Sequence, residues 1–135
     1  MIVLQYLCMK KETRVWFEQA EDDYKNGNLL IKSKSYRGAV LFAQQSVEKI
    51  LKAYIIEFKN VVPKKTHRIE NLIKDADLNI NNFNIENIKE LSKAYTWVRY
   101  PDMSQRFYTK RDITQMLLVV AKKLYLWVKK KFVNN

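Results

Sequence analysis

The chain has 135 residues, 47% of them hydrophobic and 29% charged, which fits one folded domain with a real core and excludes a disordered chain. Two glycines and two prolines are too few for the special turns of a β-sandwich or barrel, so the expected fold is all-α, with long helices and few connections. A net charge of +11 and a pI near 9.7 mark a basic protein that attracts polyanions (RNA, DNA, nucleotides or an acidic protein), although a lysine-rich surface also serves solubility alone.

Residues 1–12 read as an N-terminal extension and 13–135 as a single domain. Cys8 is the only cysteine, so no intrachain disulfide is available and the chain reads as intracellular, hence cytoplasmic. No apolar run reaches membrane-spanning length. The first helix is expected over residues 13–32, with Trp16, Ala20, Asp23 and Tyr24 on one side and a bend or early end at Gly27. Ser33-Lys34-Ser35 is a short connection, which makes the helices it joins antiparallel neighbours.

The second helix is expected over residues 36–59. Tyr36, Ala39, Val40, Ala43, Val47, Ile50, Leu51, Tyr54 and Phe58 form its apolar stripe at three- and four-residue steps. Beside the stripe runs a polar column, Gln44, Glu48 and Lys52. Phe42, Ala53 and Ile56 lie off the stripe. Either this helix is central, or a second subunit covers it, with Phe42 and Ile56 as interface candidates.

Pro63 breaks the pattern. Thr66 is the expected cap of a short helix carrying Ile69, Leu72, Ile73 and Ala76. Asn84 is the expected cap of the next, with Ile88, Leu91, Tyr95 and Val98 on its stripe and Pro101 just past its end. Residues 102–108 read as an irregular connection. Thr109-Lys110-Arg111-Asp112 resembles a capping box that opens a last helix to about residue 132. Its core face is Ile113, Leu117, Val120, Leu124, Trp127 and Val128, and Lys129-Lys130-Lys131 is a solvated helix end.

The residue inventory gives no cofactor and no metal site. Gly27 and Gly38 cannot make a phosphate-cradling loop. One histidine and one cysteine cannot make an ordinary structural zinc site. Asp22, Asp23, Asp75 and Asp77 are expected on solvated faces and caps. His67, beside Lys64, Lys65 and Arg68, reads as a neutral loop residue contacting backbone, although imidazole is also the usual acid or base near neutrality.

Four segments together carry a family resemblance. They are Trp16-Phe17-Glu18-Gln19-Ala20-Glu21-Asp22-Asp23-Tyr24, then Ala43-Gln44-Gln45-Ser46-Val47-Glu48-Lys49-Ile50-Leu51-Lys52-Ala53, then Lys65-Thr66-His67-Arg68-Ile69, and Tyr95-Thr96-Trp97-Val98-Arg99-Tyr100-Pro101-Asp102. In this order the chain resembles the HEPN domain family, the helical partners of minimal nucleotidyltransferases, from Trp16 to about Lys123. The resemblance implies an up-and-down antiparallel four-helix bundle with an additional short helix, commonly a homodimer. It also implies a nucleotide- or RNA-binding module that pairs with a nucleotidyltransferase in a toxin–antitoxin-like system. Many family ribonucleases carry an arginine followed, after four to six intervening residues, by a histidine. Here Arg99 is followed by Ser104, Gln105 and Arg106, so ribonuclease activity is expected to be weak or absent. A metal-independent ribonuclease with a substitute for that histidine, and a pure interaction scaffold, are the alternatives. The ligand- and anion-binding candidates are Arg99, Tyr100, Asp102, Glu48, Gln44 and Lys52, with Arg99 and Glu48 expected beside a shared polar cleft.

Overall fold

A computed structural model describes residues 7–133. Residues 1–6 of the extension, and the side chain of Ile113 that the stripe turns to the core, lie outside the described residues. The described chain is built from helices α1 (Lys11–Lys32), α2 (Tyr36–Tyr54), α3 (Ile69–Asp75), α4 (Ile85–Trp97), α5 (Pro101–Phe107) and α6 (Arg111–Val133). The long helices α1, α2, α4 and α6 make an all-α up-and-down bundle, with α3 and α5 as short pieces between them.

Helix α2 is the central element. Its stripe is buried or packed against the core, and Ala53, off the stripe, is also fully buried. A helix whose apolar positions go most of the way round has neighbours most of the way round, and α2 packs against α1, α3, α4 and α6. Its last turn widens into a π-helix over Ile55–Lys59 and stops at Asn60, whose left-handed φ of 57° ends the helix.

Helix α1 runs through Gly27 without a break. Gly27 is buried, and the missing side chain lets α1 lie close to α2: a Cβ there would sit 3.5 Å from Phe42 Cβ and 3.6 Å from the Ala39 carbonyl. Packing against α2 therefore outweighs the intrinsic preference that argued for an early end. The turn into α2 is a Schellman closure, Ser35 N–H donating to Leu30 O and Lys34 N–H to Ile31 O, with Lys34 at a φ of 62°. Asp77 closes α3 in the same way.

Several local expectations change. Residues 102–108 are mostly helical: Pro101 ends α4 and also starts α5 at its first position, where a fixed φ and a missing N–H cost nothing. Arg68 rather than Thr66 precedes α3, and the Thr66 hydroxyl accepts from Arg68 N–H within the loop. The first N–H of α3, on Ile69, is satisfied from α4 by the buried Ser92 hydroxyl at 2.8 Å. Thr109 donates back to the Gln105 carbonyl, and α6 begins at Arg111. Asp23 is buried and paired to Lys49 at 2.7 Å rather than solvated. Lys129 reaches Glu21 at 2.8 Å, and Lys131 sits over the Trp127 ring, so this end of α6 is tied down. Tyr125, unmarked by the stripe, is fully buried. It stacks on Tyr24 and donates to Glu21, and burial, then that hydrogen bond, push its phenol far up. Asn84 caps α4 as expected, accepting from Glu86 and Asn87 N–H.

Candidate functional site

The polar column on α2 is inside the protein. Gln44, Glu48 and Lys52 are all buried, one turn apart. A buried carboxylate needs partners for both oxygens. Glu48 Oε2 accepts from Lys52 Nζ at 3.1 Å, and Glu48 Oε1 accepts from Gln44 Nε2 at 3.3 Å. The third donor comes from the loop before α3: His67 Nδ1 lies 2.9 Å from Glu48 Oε1. An ionised carboxylate only accepts, so Nδ1 carries the hydrogen.

His67 is anchored three ways. Its carbonyl accepts from Gln44 Nε2 at 3.0 Å, its ring bonds Glu48, and its face stacks on Tyr95 with centroids 3.5 Å apart. The side chain is 48% exposed, whereas that of Glu48 is 7% exposed, so solvent reaches the imidazole and not the carboxylate. The backbone-contacting loop histidine expected from sequence is thus half of a carboxylate–histidine pair.

Tyr95 carries the arrangement to Arg99. One turn on, at the end of α4, the Arg99 guanidinium lies 4.0 Å from the Tyr95 ring centre. Carboxylate, imidazole, phenol and guanidinium are therefore linked in one run of contacts, the first a hydrogen bond and the other two made on the Tyr95 ring. Among the described residues no ion pair joins Arg99 to Asp102 or to Glu48, and the Arg99 side chain, stacked on Tyr95, is exposed. Asp102 and Tyr100 are exposed, Tyr100 just before Pro101 and Asp102 in the first turn of α5.

Two clefts flank this stack. One, of about 700 Å³, lies between the α1–α2 turn and the end of α4, where Lys34, Arg37 and Arg99 line it with Tyr36 and Thr109. The other, of about 730 Å³, is lined by His67, Lys65, Arg68, Lys89 and Lys93, with Glu70 as its acidic member. A hydrogen bond from Lys93 to Glu90 raises that ammonium above its ordinary value, so it stays charged. Arg99 lines the first cleft. Glu48 lines neither, lying under His67 rather than across a shared cleft from Arg99. Gln44 is likewise internal, while Lys52 sits under the Trp16 ring and lines a separate groove with Ile56, Val61 and Val62.

Lys34, Arg37 and His67 are the site residues that pattern reading leaves out. Lys34 and Arg37 flank a turn that reads only as a connection. The pairing of His67 with Glu48 spans nineteen positions and has no local signal. Among the described residues no three His, Cys, Asp or Glu side chains gather as metal ligands, and no helix is long and apolar enough to cross a membrane.

Residues 13–131 match the HEPN domain family. The chain is 29% identical over 127 residues to the Methanocaldococcus jannaschii protein named "Putative toxin MJ1304", covering 79% of this chain and 80% of that one. The crystal structure of TT1696 from Thermus thermophilus superposes with a TM-score of 0.71 at 28% identity, covering 90% of this chain and 99% of its own. The crystal structure of ST0689, described as an archaeal HEPN homologue, superposes with a TM-score of 0.65 at 28% identity, over 92% of this chain and 99% of its own.

Proposed function

The chain belongs to the HEPN domain family, and we propose that it is the RNA-binding, toxin-type half of a two-protein pair, its antitoxin partner being a nucleotidyltransferase. The observation that carries this reading is the exposed Arg99, its guanidinium stacked on Tyr95, lining one of two cationic clefts. A guanidinium fork grips a phosphate through two parallel hydrogen bonds. Exposed Tyr100 beside it offers a ring face on which an unpaired base stacks. Two cationic clefts, one lined by Arg99 and the other by Thr96 and Trp97 at the end of α4, suit a chain of phosphates better than a single nucleotide, which favours single-stranded RNA. The named toxin relative supports the toxin half of the reading.

The protein works as a homodimer in this reading. Its two-fold surface is the exposed apolar patch of Trp97, Phe107 and Met116, beside which Met103 and Leu117 line a shallow cavity. Phe42 is a weaker interface candidate because it lies against α1 at Gly27, and Ile56 lines the groove above Trp16.

Titration of a labelled single-stranded RNA tests the binding. Arg99→Ala is expected to weaken affinity by about tenfold at moderate salt, the scale of one lost charged bidentate contact. Unchanged affinity would remove Arg99 from the site.

A further inference from the structure

We propose that the groove between the start of α1 and residues 61–65 receives an extended peptide of a partner protein, rich in aliphatic and acidic side chains. The groove is a different surface from the Arg99 face, and the inference does not depend on the RNA reading.

Residues 61–65 form an edge that is fixed at both ends. The π-helix stops at Asn60, and Lys10 Nζ, at the entry to α1, donates to the Ile56 and Glu57 carbonyls and to Asn60 Oδ1. Glu57 in turn accepts from Lys10 N–H at 3.1 Å and from the Thr13 hydroxyl at 2.8 Å. At the other end, the His67 carbonyl accepts from Gln44 Nε2 at 3.0 Å. Between these anchors the chain runs without helix or strand. Among the described residues no hydrogen bond uses the N–H of Val62 or Lys65, or the carbonyls of Val62 and Pro63. Unpaired main-chain groups along an exposed segment are what an added strand pairs with.

The walls and the charge select the occupant. The groove has a volume of about 650 Å³, and Trp16, Ile56, Val61 and Val62 line it. Val62 is 91% exposed and Val61 55%, so both offer aliphatic area that a partner's side chains remove from water. Aliphatic walls give stacked bases little to lie on, which separates this groove from a nucleic-acid channel. The cations attract carboxylates. Lys52, only 5% exposed, lines the groove, and its ammonium donates to Glu48 Oε2 at 3.1 Å. Its other two hydrogens have no acceptor among the described residues. Lys64 and Lys65 are exposed on the rim, and Glu12 is the single acid among the described lining residues. The Lys64 contact with Asp75 is 3.5 Å long and open to water, so it yields to a better-placed carboxylate. A small organic acid would satisfy Lys52 and leave the main-chain edge bare. A peptide uses both.

The test follows amide NMR signals of the isotope-labelled full chain during titration with a peptide of about six alternating leucine and glutamate residues, long enough to span the segment. The expected result is saturable movement of the Val62, Lys64 and Lys65 amide signals and of the Trp16 indole signal. Methylating alternate peptide nitrogens removes main-chain donors and no side chain. It is expected to weaken binding about tenfold, the scale of a few lost main-chain hydrogen bonds. Replacing the glutamates by lysines should abolish binding. Lys64→Glu changes an exposed position, and a thermal melt establishes that the variant is folded. It is expected to weaken peptide binding at least about threefold and to leave RNA affinity within about twofold, because Lys64 lines neither cationic cleft. No movement of these signals at about 1 mM peptide overturns the proposal. So does equal binding of the methylated or the lysine peptide. Movement of the same signals by single-stranded RNA would make the groove part of the polyanion face and overturns it as well.

Discussion

Glu48 is the residue on which the candidate site depends. Three donors converge on its carboxylate, from Gln44, Lys52 and His67, and it has almost no access to water. Removing one partner of a buried ion pair strands the other charge, which costs more than the pair itself is worth. Glu48→Ala leaves Lys52 buried under the Trp16 ring with no counter-charge. It is expected to lower the unfolding free energy by about 3 kcal/mol in urea titrations. A loss below about 1 kcal/mol, the scale of an exposed pair, would mean that Lys52 escapes to solvent and the network is not a rigid support. The sequence shows the Gln44–Glu48–Lys52 column, because an i, i+4, i+8 spacing is local. It does not show that His67 completes it, because that contact depends on how the loop before α3 returns to α2.

Elements are most legible where one helix decides its own limits. Asn84 caps α4 through its own side chain, so its identity and position suffice. Helix α3 is less legible, since the Ser92 hydroxyl that satisfies its first N–H is on α4. Pro101 reads in the sequence only as a stop, yet it is also the first residue of α5. The α1–α2 turn carries a further sign of use. Lys34 holds a left-handed φ of 62°, a conformation that glycine adopts freely and lysine does not. Lys34 lines the cleft with Arg99. Lys34→Gly is therefore expected to raise stability by about 0.5–1 kcal/mol in thermal or urea melts while weakening RNA binding several-fold. Higher stability with unchanged RNA affinity would show that the strained lysine has no part in the site.

At the scale of the whole molecule, the bundle itself is legible because four long apolar stripes and short connections leave few other packings. The position of α2 at its centre is legible only as one of two explanations for Phe42, Ala53 and Ile56, and the burial of Ala53 inside one chain decides for the central helix. The net charge of +11 is plain, but composition cannot say where it gathers. The two cationic clefts exist because the α1–α2 turn and the loop before α3 both come to the C-terminal half of α4. Light scattering at micromolar concentration is expected to give twice the 16.2 kDa chain mass, falling to the monomer with Trp97→Asp. A native monomer would contradict the proposed two-fold surface. The central claim is that RNA lies across the Tyr95–Arg99 end of α4, and photocrosslinking tests it most directly. A single-stranded RNA carrying 4-thiouridine, irradiated with the native chain and mapped by mass spectrometry, should leave its adducts on the peptide that contains Tyr95, Trp97 and Tyr100. Adducts on Trp16 or Trp127, with none between residues 95 and 100, would contradict the account.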